Sequence, residues 1–530
     1  MKLIKILLIP IVLISVAMTP PGDEASELIR RKIENANLKG LVALEQDLTC
    51  KTTLSQFYLN RSFEPSWNVE TSKKLIAEIE ASKNEGLTPN DYHLEKLKEA
   101  SSQKTKTSFF EAEYDLMLSD AFLLYVNHLL SGKVNPQTID AEWHVTRREG
   151  NPVELLEFAI SSGNITEAIQ KATPKHLVYK ELKDALVEYR NIKVSGWEKI
   201  NEGVTLKKGM EDERLVVIRE RLFILGDLKV KNTSFPNLYD DSLVAAVIKF
   251  QARHGLDDDG EIGKQSINAL NVSIEDRILQ IEANMERWRW LPQEFGYYYI
   301  KVNIANFNLD VIKDKQIIRT QKIIAGKPYR KTPVFSSQMQ YLVLNPTWTV
   351  PPSILYNDVI PAAQKDPSYL TKKKLSVFDK NGNPVNINEV DWNSKEVRSY
   401  TYRQPPGPEN ALGAVKFMFP NTFSVYLHDT PSKELFEKSE RAFSSGCIRV
   451  NEPLELAEFL LNNPENYSLD KIKKVVATKE TKTIQLKEKP FIHILYWTAW
   501  VDANSNINFR KDIYDRDKPL LTQLKEKPPH

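Results

Sequence analysis

The spacing of the apolar residues changes once along this chain, near residue 297, and this change limits what the chain can fold into. Before that point apolar residues recur at helical intervals, as in YDLMLSDAFLLYVNHLL at Tyr114–Leu130, where the repeat matches a 3.6-residue turn. After it, short alternating runs such as YYYIKVNIANFNLDVIKD are rich in Val, Ile and Tyr, as strands are. The sequence therefore predicts a multidomain α+β protein, with its helices first and a mostly-β region last.

A chain of 530 residues is too long for one hydrophobic core, so we expect several domains. The patterns predict a helical scaffold domain over 25–205, a compact three-helix module over 208–272 and a mostly-β domain over 297–517. Inside the last of these, the polar stretch 352–402 interrupts the strand pattern. An insertion of this kind suits a lid over a site.

The N-terminus has the composition of an export signal. MKLIKILLIPIVLISVAMTP places Lys2 and Lys5 at the start of an apolar run over 6–18, with small residues near the end of that run. This pattern predicts a signal peptide over 1–19. The run is shorter than the roughly 20 residues of a membrane-spanning helix, so a membrane tether is the alternative only if the segment stays uncleaved.

Charge and cysteine content narrow the function classes. The 72 basic and 70 acidic side chains leave a formal net charge of +2, which gives no electrostatic reason to expect nucleic acid as the partner. The chain contains two cysteines, Cys50 and Cys447. An exported protein with so few cysteines is not a disulfide scaffold. Three interpretations stay open: a single Cys50–Cys447 disulfide, a buried inert thiol, or a thiol used in chemistry.

The stretch HDTPSKELFEKSERAFSSGCIRV contains the residue types of a thiol-based active site. Cys447 would be the nucleophile and His428, at the end of the strand-like VYLHD, would be the base that removes its proton. Ser444, Ser445 and Gly446 are small and allow close approach of an acyl group. The N–H groups of Gly446 and Cys447 are candidates for an oxyanion hole. Taken alone, a Cys and a His at this separation are weak support for a catalytic pair.

Further candidate substrate contacts follow from strand alternation. Arg449 shares a face with Cys447 if the chain is extended there, and its guanidinium would suit a substrate carboxylate. Tyr426 shares a face with His428 by the same rule, with ordinary packing as the alternative. Ser444 is a further candidate substrate contact. Three more residues could line the groove, although a structural role is the favoured interpretation for each: Asn345, Trp348 and Arg403.

Two parts of the chain resemble known families. FQARHGLDDDGEIGKQSINALN resembles the three-helix peptidoglycan-binding domain of cell-wall enzymes, and its acidic turn lacks the alternation of a calcium loop, so we expect no metal. The order strand, His, polar loop and S-x-G-C-x-R resembles the catalytic domain of the L,D-transpeptidases. Ser445 departs from the commoner pattern, which has a second His there. In having Ser445 there, the chain resembles the large periplasmic subgroup of the family, whose members have a helical scaffold and a peptidoglycan-binding domain.

The resemblance implies an activity and its partners. It implies that Cys447 and His428 form 3→3 cross-links in peptidoglycan through a thioester, releasing D-Ala from a tetrapeptide stem, without a cofactor. Donor and acceptor would both be peptide stems supplied by other cell-wall enzymes, the protein would be a periplasmic monomer, and carbapenems would acylate the thiol. The alternatives are an L,D-carboxypeptidase, exchange with free D-amino acids, and a non-catalytic wall-binding scaffold. A papain-like protease is a weaker alternative, because no local signature matches.

Overall fold

The computed structural model describes residues 21–104, 107–194 and 196–528. The segment 1–19, interpreted above as a signal peptide, lies outside these residues. None of the helices within the described ranges combines the length and the apolar character needed to cross a bilayer.

The first region is helical and is organised around one long buried helix. Its α-helices are α1 (Pro21–Lys39), α2 (Lys51–Leu59), α3 (Val69–Ala81), α4 (Leu94–Ser101), α5 (Ser108–Ser131), α6 (Pro136–Ile139), α7 (Pro152–Ser162), α8 (Ile165–Ala172) and α9 (Leu177–Asn191), with a small hairpin of β1 (Val42–Ala43) and β2 (Gln46–Asp47). Thr107 caps α5 by accepting the Phe110 N–H at 3.2 Å. Every residue of α5 from Ala112 to Val126 is buried, because other helices surround it on all sides.

Three helices then form a module with a core of its own: α10 (Arg214–Ile224), α11 (Asp241–His254) and α12 (Lys264–Leu270). Leu222, Phe250 and Leu270 belong to this core. Asp240 caps α11 by accepting the Leu243 N–H at 2.8 Å. Gly255 ends α11 with a φ of 66°, a left-handed conformation that glycine adopts without strain. A connecting helix, α13 (Ile274–Arg289), follows the module.

The C-terminal region is built on a large mixed sheet. Its strands are β3 (Tyr298–Asn303), β4 (Asn308–Lys313), β5 (Gln316–Gly326), β6 (Phe335–Gln338), β7 (Tyr341–Leu344), β8 (Trp348–Thr349), β9 (Ser376–Phe378), β10 (Thr401–Gln404), β11 (Val415–Met418), β12 (Leu427–His428), β13 (Ala442–Ser444), β14 (Ile448–Val450), β15 (Lys482–Gln485), β16 (Phe491–Leu495), β17 (Ala499–Val501) and β18 (Ile507–Phe509). The order in the main sheet is β15-β7-β11-β12-β14-β5-β4-β3-β16-β6, and β13 pairs with β5. Most neighbours are antiparallel, but β12 and β14 run parallel.

The insertion within this region forms a small separate body. It begins with α14 (Pro352–Ile354), a π-helical segment Leu355–Val359, α15 (Ile360–Lys365) and α16 (Ser368–Lys372). Strands β8, β10 and β9 form its own three-stranded sheet, and the stretch expected to be a polar lid encloses an apolar core that includes Leu370 and Tyr402. The remaining helices are α17 (Pro453–Leu461), α18 (Pro464–Tyr467), α19 (Leu469–Thr478) and α20 (Asp517–Lys525).

The helical region and the main sheet share one continuous apolar core, which includes Phe122 of α5, Trp290 after α13 and Ile494 of β16. Helix α13 lies at the junction. There, Glu286 accepts the Val134 N–H at 2.7 Å, and Arg287 pairs with Asp517 of α20 at 2.6 Å. The fold class predicted from the sequence, multidomain α+β, is confirmed. The shared core holds the scaffold and the sheet together as a common support for the site.

Candidate active site

Adjacent strands β11, β12 and β14 bring five polar side chains to one face of the sheet. Lys416 pairs with His428 across β11 and β12, and His428 pairs with Arg449 across β12 and β14. Because side chains alternate along a strand, Tyr426 and Cys447 lie on the same face, two positions earlier. The Ile448 N–H donates to the Tyr426 carbonyl at 3.2 Å, which continues the pairing up to Cys447.

Cys447 is a free, half-buried thiol next to Tyr426. Its Sγ donates to the Ser424 carbonyl at 3.6 Å. Burial raises the pKa of the Cys447 thiol, while hydrogen bonds from the backbone and hydroxyl of Tyr426 and the charge of Arg449 act in the opposite direction. The resting group is therefore a thiol, and a base is needed to make it a nucleophile. Cys50, the other cysteine, is also free, so the structure contains no Cys50–Cys447 disulfide.

His428 is only 5% exposed, and its ring orientation is fixed by the backbone. Its Nδ1 lies 2.5 Å from the carbonyl oxygen of Asp429, which can only accept, so Nδ1 carries the proton. Burial lowers the pKa of His428 to about 3, and the positive charges of Arg449 and Lys433 add to this effect, against the hydrogen bond to Asp429. The imidazole is therefore neutral at ordinary pH, and Nε2 is the atom able to take a proton.

No hydrogen bond joins the His428 ring to Cys447 in this structure. The two residues are diagonal neighbours on parallel strands, since Cys447 is two positions before Arg449, the partner of His428. Active-site hydrogen bonds are often absent without substrate and form in the complex. For a proton to pass between them, the His428 ring and the Cys447 thiol must move within hydrogen-bond distance of each other.

The loop before Cys447 is stabilised by its own side chains. Ser444 donates its hydroxyl to the Cys447 carbonyl at 2.5 Å and accepts the Gly446 N–H at 3.1 Å. Thr332 donates to the Gly446 carbonyl at 2.9 Å. Gly446 has a φ of 117°, which a residue with a Cβ rarely adopts. The expectation that the Gly446 N–H serves an oxyanion hole is therefore wrong for this conformation, because the Ser444 hydroxyl already accepts that N–H. The Cys447 N–H has no acceptor among the described residues.

Arg449 provides the positive charge of the site. It is half-buried, its Nε has no hydrogen-bond partner among the described residues, and burial lowers its pKa. Lys416 lies on the other side of His428, with its ammonium 5.8 Å from the centre of the Tyr426 ring, and burial lowers its pKa too. The rings of Tyr426 and His428 are 5.7 Å apart. Two half-buried cations therefore flank the imidazole, with Glu434 acting on Arg449 through its charge, and this arrangement suits an acidic substrate.

The insertion reaches the Cys447 loop through Arg330. Arg330, on the loop after β5, pairs with Asp358 of the insertion at 2.5 and 3.0 Å and donates to the Ser445 hydroxyl at 3.0 Å. The role of Arg330 could not be predicted from the sequence. Its partners are 28 and 115 positions away, so no local pattern marks the contact.

The other expected groove residues lie elsewhere. Trp348 and Arg403 are in the insertion sheet, where Trp348 pairs with Gln404 and Arg403 donates to Thr349 at 3.3 Å. Asn345 is buried and donates its side-chain amide to the carbonyls of Val475 and Glu480 at 2.9 and 3.0 Å. Asn345 therefore holds the end of α19 against β7.

Three family models match separate regions of the chain. Residues 297–479 match the family model of the L,D-transpeptidase catalytic domain, residues 211–270 match the model described as "Putative peptidoglycan binding domain", and residues 52–186 match a scaffold domain. Three successive regions of the chain are thus similar to a scaffold domain, a peptidoglycan-binding domain and an L,D-transpeptidase catalytic domain.

A curated protein of Haemophilus influenzae (strain ATCC 51907 / DSM 11121 / KW20 / Rd), named "Putative L,D-transpeptidase", is 34% identical to this chain over 263 residues. The match covers 48% of this chain and 53% of the relative, so the chain spans about half the length of the curated relative that it matches.

Proposed function

We propose that this protein is an exported peptidoglycan L,D-transpeptidase that forms 3→3 cross-links through a thioester on Cys447. The main support is the single sheet face that presents Cys447 beside a neutral His428 whose Nδ1 is held by the Asp429 carbonyl. Both residues fall within 297–479, the range of the catalytic-domain match. A thiol becomes a nucleophile when a neighbouring base takes its proton, and a neutral imidazole is such a base.

In the first step the Cys447 thiol gives its proton to Nε2 of His428, and the sulfur attacks the carbonyl carbon of the third residue of a tetrapeptide stem. The oxyanion formed there accepts a hydrogen bond from the Cys447 N–H, for which the described part of the chain offers no acceptor. The C–N bond to the terminal D-Ala then breaks. The leaving amine takes the proton from His428, and the tripeptide remains as a thioester.

In the second step a side-chain amine of a neighbouring stem attacks the thioester carbonyl. His428 accepts a proton from this amine, and the C–S bond breaks as the new amide forms. The Cys447 thiolate recovers the proton from His428. The thioester conserves the energy of the broken amide, so the chain's own residues and the two stems account for each atom and electron pair without a cofactor.

The remaining residues of the face position the stems. Arg449 and Lys416 suit the carboxylates of the stem, since each is a half-buried cation on this face and Arg449 has a buried Nε without a hydrogen-bond partner among the described residues. Tyr426 hydrogen-bonds the thiol. Trp348 and Arg403 would contact the stem only through the insertion that holds them.

The chain's location and partners follow from the same substrate. Peptidoglycan lies outside the cytoplasm, so the two peptidoglycan-directed domain matches support an extracytoplasmic location. The protein would act as a monomer on stems that other cell-wall enzymes have trimmed to tetrapeptides. A strained β-lactam such as a carbapenem would acylate the same thiol.

Product analysis tests the proposal. Purified full chain is incubated with a disaccharide-tetrapeptide, and the muropeptides are separated and sequenced by mass spectrometry, with Cys447→Ala as the test variant and Cys50→Ser as the matched control. We expect wild type and Cys50→Ser to release D-Ala and form a dimer joined between third residues, and Cys447→Ala to do neither. Dimers from Cys447→Ala would refute the proposal, and tripeptide without dimer would instead assign an L,D-carboxypeptidase.

A further inference from the structure

The turn at the end of β5 packs against the segment that leads to Cys447. Strands β13 and β5 run parallel there, with Ser444 paired to Gly326. A Cβ on Gly326 would lie 2.2 Å from the Arg330 carbonyl oxygen, so the chain turns too tightly at this point for a side chain. Residues 326–332 therefore lie directly against the Cys447 loop.

Thr332 connects this turn to the peptide bond that precedes the nucleophile. Its side chain is fully buried. Its hydroxyl donates to the Gly446 carbonyl at 2.9 Å and accepts the Gly326 N–H, also at 2.9 Å. Among the described residues, no other group donates a hydrogen bond to the Gly446 carbonyl. Thr332 is therefore the residue that fixes the direction of this carbonyl.

The direction of the Gly446 carbonyl decides the direction of the Cys447 N–H, because the two groups belong to one peptide unit. This peptide bond is trans, and in a planar trans peptide the C=O and the N–H point in opposite directions. With the carbonyl bonded to Thr332, the Cys447 N–H points away from the turn after β5, and no residue of the described chain accepts it. This N–H is thus available to an oxyanion on the substrate.

The glycine before the nucleophile would not keep this direction by itself. Gly446 has a φ of 117°, and glycine enters other backbone conformations at little steric cost. Rotating the peptide between Gly446 and Cys447 by half a turn would direct the Cys447 N–H at Thr332 and remove it from the site. The Thr332 hydrogen bond opposes this rotation, because the rotated peptide would leave a buried hydroxyl without its acceptor.

Tyr514 holds Thr332 in place from the other side. Its hydroxyl donates to the Gly326 carbonyl at 2.7 Å and accepts the Thr332 N–H at 3.1 Å. Tyr514 is itself buried, and its ring stacks on that of Tyr496 with 5.6 Å between the ring centres. A buried, stacked ring therefore fixes the backbone of Thr332, and Thr332 in turn fixes the carbonyl of Gly446.

We propose that Thr332 is a positioning residue for acyl transfer: its hydroxyl holds the Gly446 carbonyl and so keeps the Cys447 N–H directed at the oxyanion that forms when Cys447 is acylated. Tyr514 is a second positioning residue, which acts through Thr332. The inference rests on the proposed function, because it takes acyl transfer at Cys447 as the reaction. Both residues are buried and act only through the backbone of the Cys447 loop.

Two reactions of the same thiol test this role. Acylation by a β-lactam passes through an oxyanion, which a directed N–H stabilises, whereas alkylation by iodoacetamide displaces iodide and forms no oxyanion. Thr332→Val removes the hydroxyl and keeps the shape of the side chain. In a Cys50→Ser background, we expect Thr332→Val to slow acylation of Cys447 by about tenfold to a hundredfold, up to the effect of losing an oxyanion donor. The alkylation rate should stay within about twofold of the parent, because the thiol itself is unchanged.

Thr71→Val is the matched control. Thr71 is also buried, and its hydroxyl donates to the Asn68 carbonyl at 3.2 Å and accepts the Asn68 N–H at 3.1 Å, but it lies at the start of α3 in the scaffold region. The control loses the same two kinds of hydrogen bond, so it should lower the melting temperature while both thiol reactions keep their rates. Thr332→Ser, which keeps the hydroxyl, should restore most of the acylation rate.

Tyr514→Phe keeps the Thr332 side chain and removes the hydroxyl that holds it. This variant should slow acylation by about threefold to tenfold, the effect of a weakened hydrogen bond, without slowing alkylation. Tyr402→Phe, which removes a buried hydroxyl bonded to the Val397 carbonyl, should change neither rate. Because Tyr514→Phe is the milder change, it tests the role even if Thr332→Val does not fold.

Equal slowing of acylation and alkylation in Thr332→Val and Tyr514→Phe would mean that these variants displace the thiol rather than the N–H, and would overturn the inference. Unchanged acylation in both variants would overturn it as well. A Cys50→Ser parent that is alkylated at Cys447, but acylated by neither a β-lactam nor a tetrapeptide, would refute the proposed function. A parent that is acylated normally, with both variants equal to it, would refute the positioning role alone.

Discussion

His428 and Arg449 occupy directly paired positions on the parallel strands β12 and β14, so the imidazole and the guanidinium lie on the same face of the sheet. The charge of Arg449 adds to burial in lowering the pKa of His428 to about 3, and it favours the thiolate of Cys447. The charge of Arg449 thus keeps His428 unprotonated, and it stabilises the thiolate that forms when His428 takes the proton of Cys447.

Replacing Arg449 should change how the reaction depends on pH. In Arg449→Met the pKa of His428 rises, so its protonation removes the base at a higher pH, and the acidic limb of the rate profile moves upward. The measurement is the rate of Cys447 acylation by a β-lactam between about pH 2 and pH 8, a range that includes the wild-type limb set by the His428 pKa of about 3. Arg449→Lys keeps the charge and should retain the wild-type limb. Identical limbs for the Met and Lys variants would show that the charge of Arg449 does not control the base.

Tyr426→Phe should make the thiol less reactive. Hydrogen bonds from Tyr426 lower the pKa of the Cys447 thiol, so removing the hydroxyl leaves less thiolate at neutral pH. We expect alkylation by iodoacetamide at pH 7 to slow by about threefold to tenfold, measured in a Cys50→Ser background so that Cys447 alone reacts. Tyr402→Phe, which removes a hydroxyl bonded to the Val397 carbonyl in the insertion, is the control. Equal alkylation rates in the two variants would contradict this role.

Gly446→Ala should impair the Cys447 loop more than it impairs the fold. The φ of 117° at Gly446 is costly for alanine, by about 1–3 kcal/mol, and the loop can relieve it by moving the thiol. Gly382, in an open turn of the insertion, has a φ of 86° with no atom near its would-be Cβ, so Gly382→Ala tests backbone strain alone. Both variants should lower the melting temperature, and only Gly446→Ala should slow acylation, by about tenfold. Comparable slowing in both would mean that the loop conformation is not what matters.

Asp358→Asn should release the insertion from the Cys447 loop. Exposed ion pairs contribute about 0.2–1 kcal/mol, so the melting temperature should barely change, while amide hydrogen exchange over 352–402 becomes faster. The cross-linking rate with tetrapeptide should fall more than β-lactam acylation, because the larger substrate depends on the insertion. Lys372→Gln breaks a similar pair with Asp366 within the insertion and should leave both rates unchanged. Unchanged exchange in Asp358→Asn would show that Arg330 does not hold the insertion.

The helical and strand periods were enough to predict the fold class and the face shared by Tyr426 and His428, because alternation along a strand is a local rule. They did not predict the common core of the scaffold and the sheet. A pattern of apolar residues indicates which face is buried, but not which element covers it. Helix α13 connects the two regions, for example through the bond between Glu286 and Val134. Its sequence pattern alone predicts only an ordinary amphipathic helix.

The limits of prediction at the site have the same cause. The chain turns at Asn345 with a φ of 51°, and its amide meets carbonyls 130 and 135 positions away, contacts that no local pattern marks. Ser444 was a candidate substrate contact, and its hydroxyl accepts the Gly446 N–H. Residue type and spacing identified the chemical groups, and long-range packing decided which of them are free to react.

The most direct test of the acyl-transfer account is rapid-quench intact-protein mass spectrometry of the Cys50→Ser chain mixed with a disaccharide-tetrapeptide, followed by peptide mapping. The account predicts an adduct equal in mass to the stem without its D-Ala, mapped to Cys447, that appears before the dimer and decays as the dimer accumulates. An unmodified Cys447 at every time point while dimers still form would contradict it.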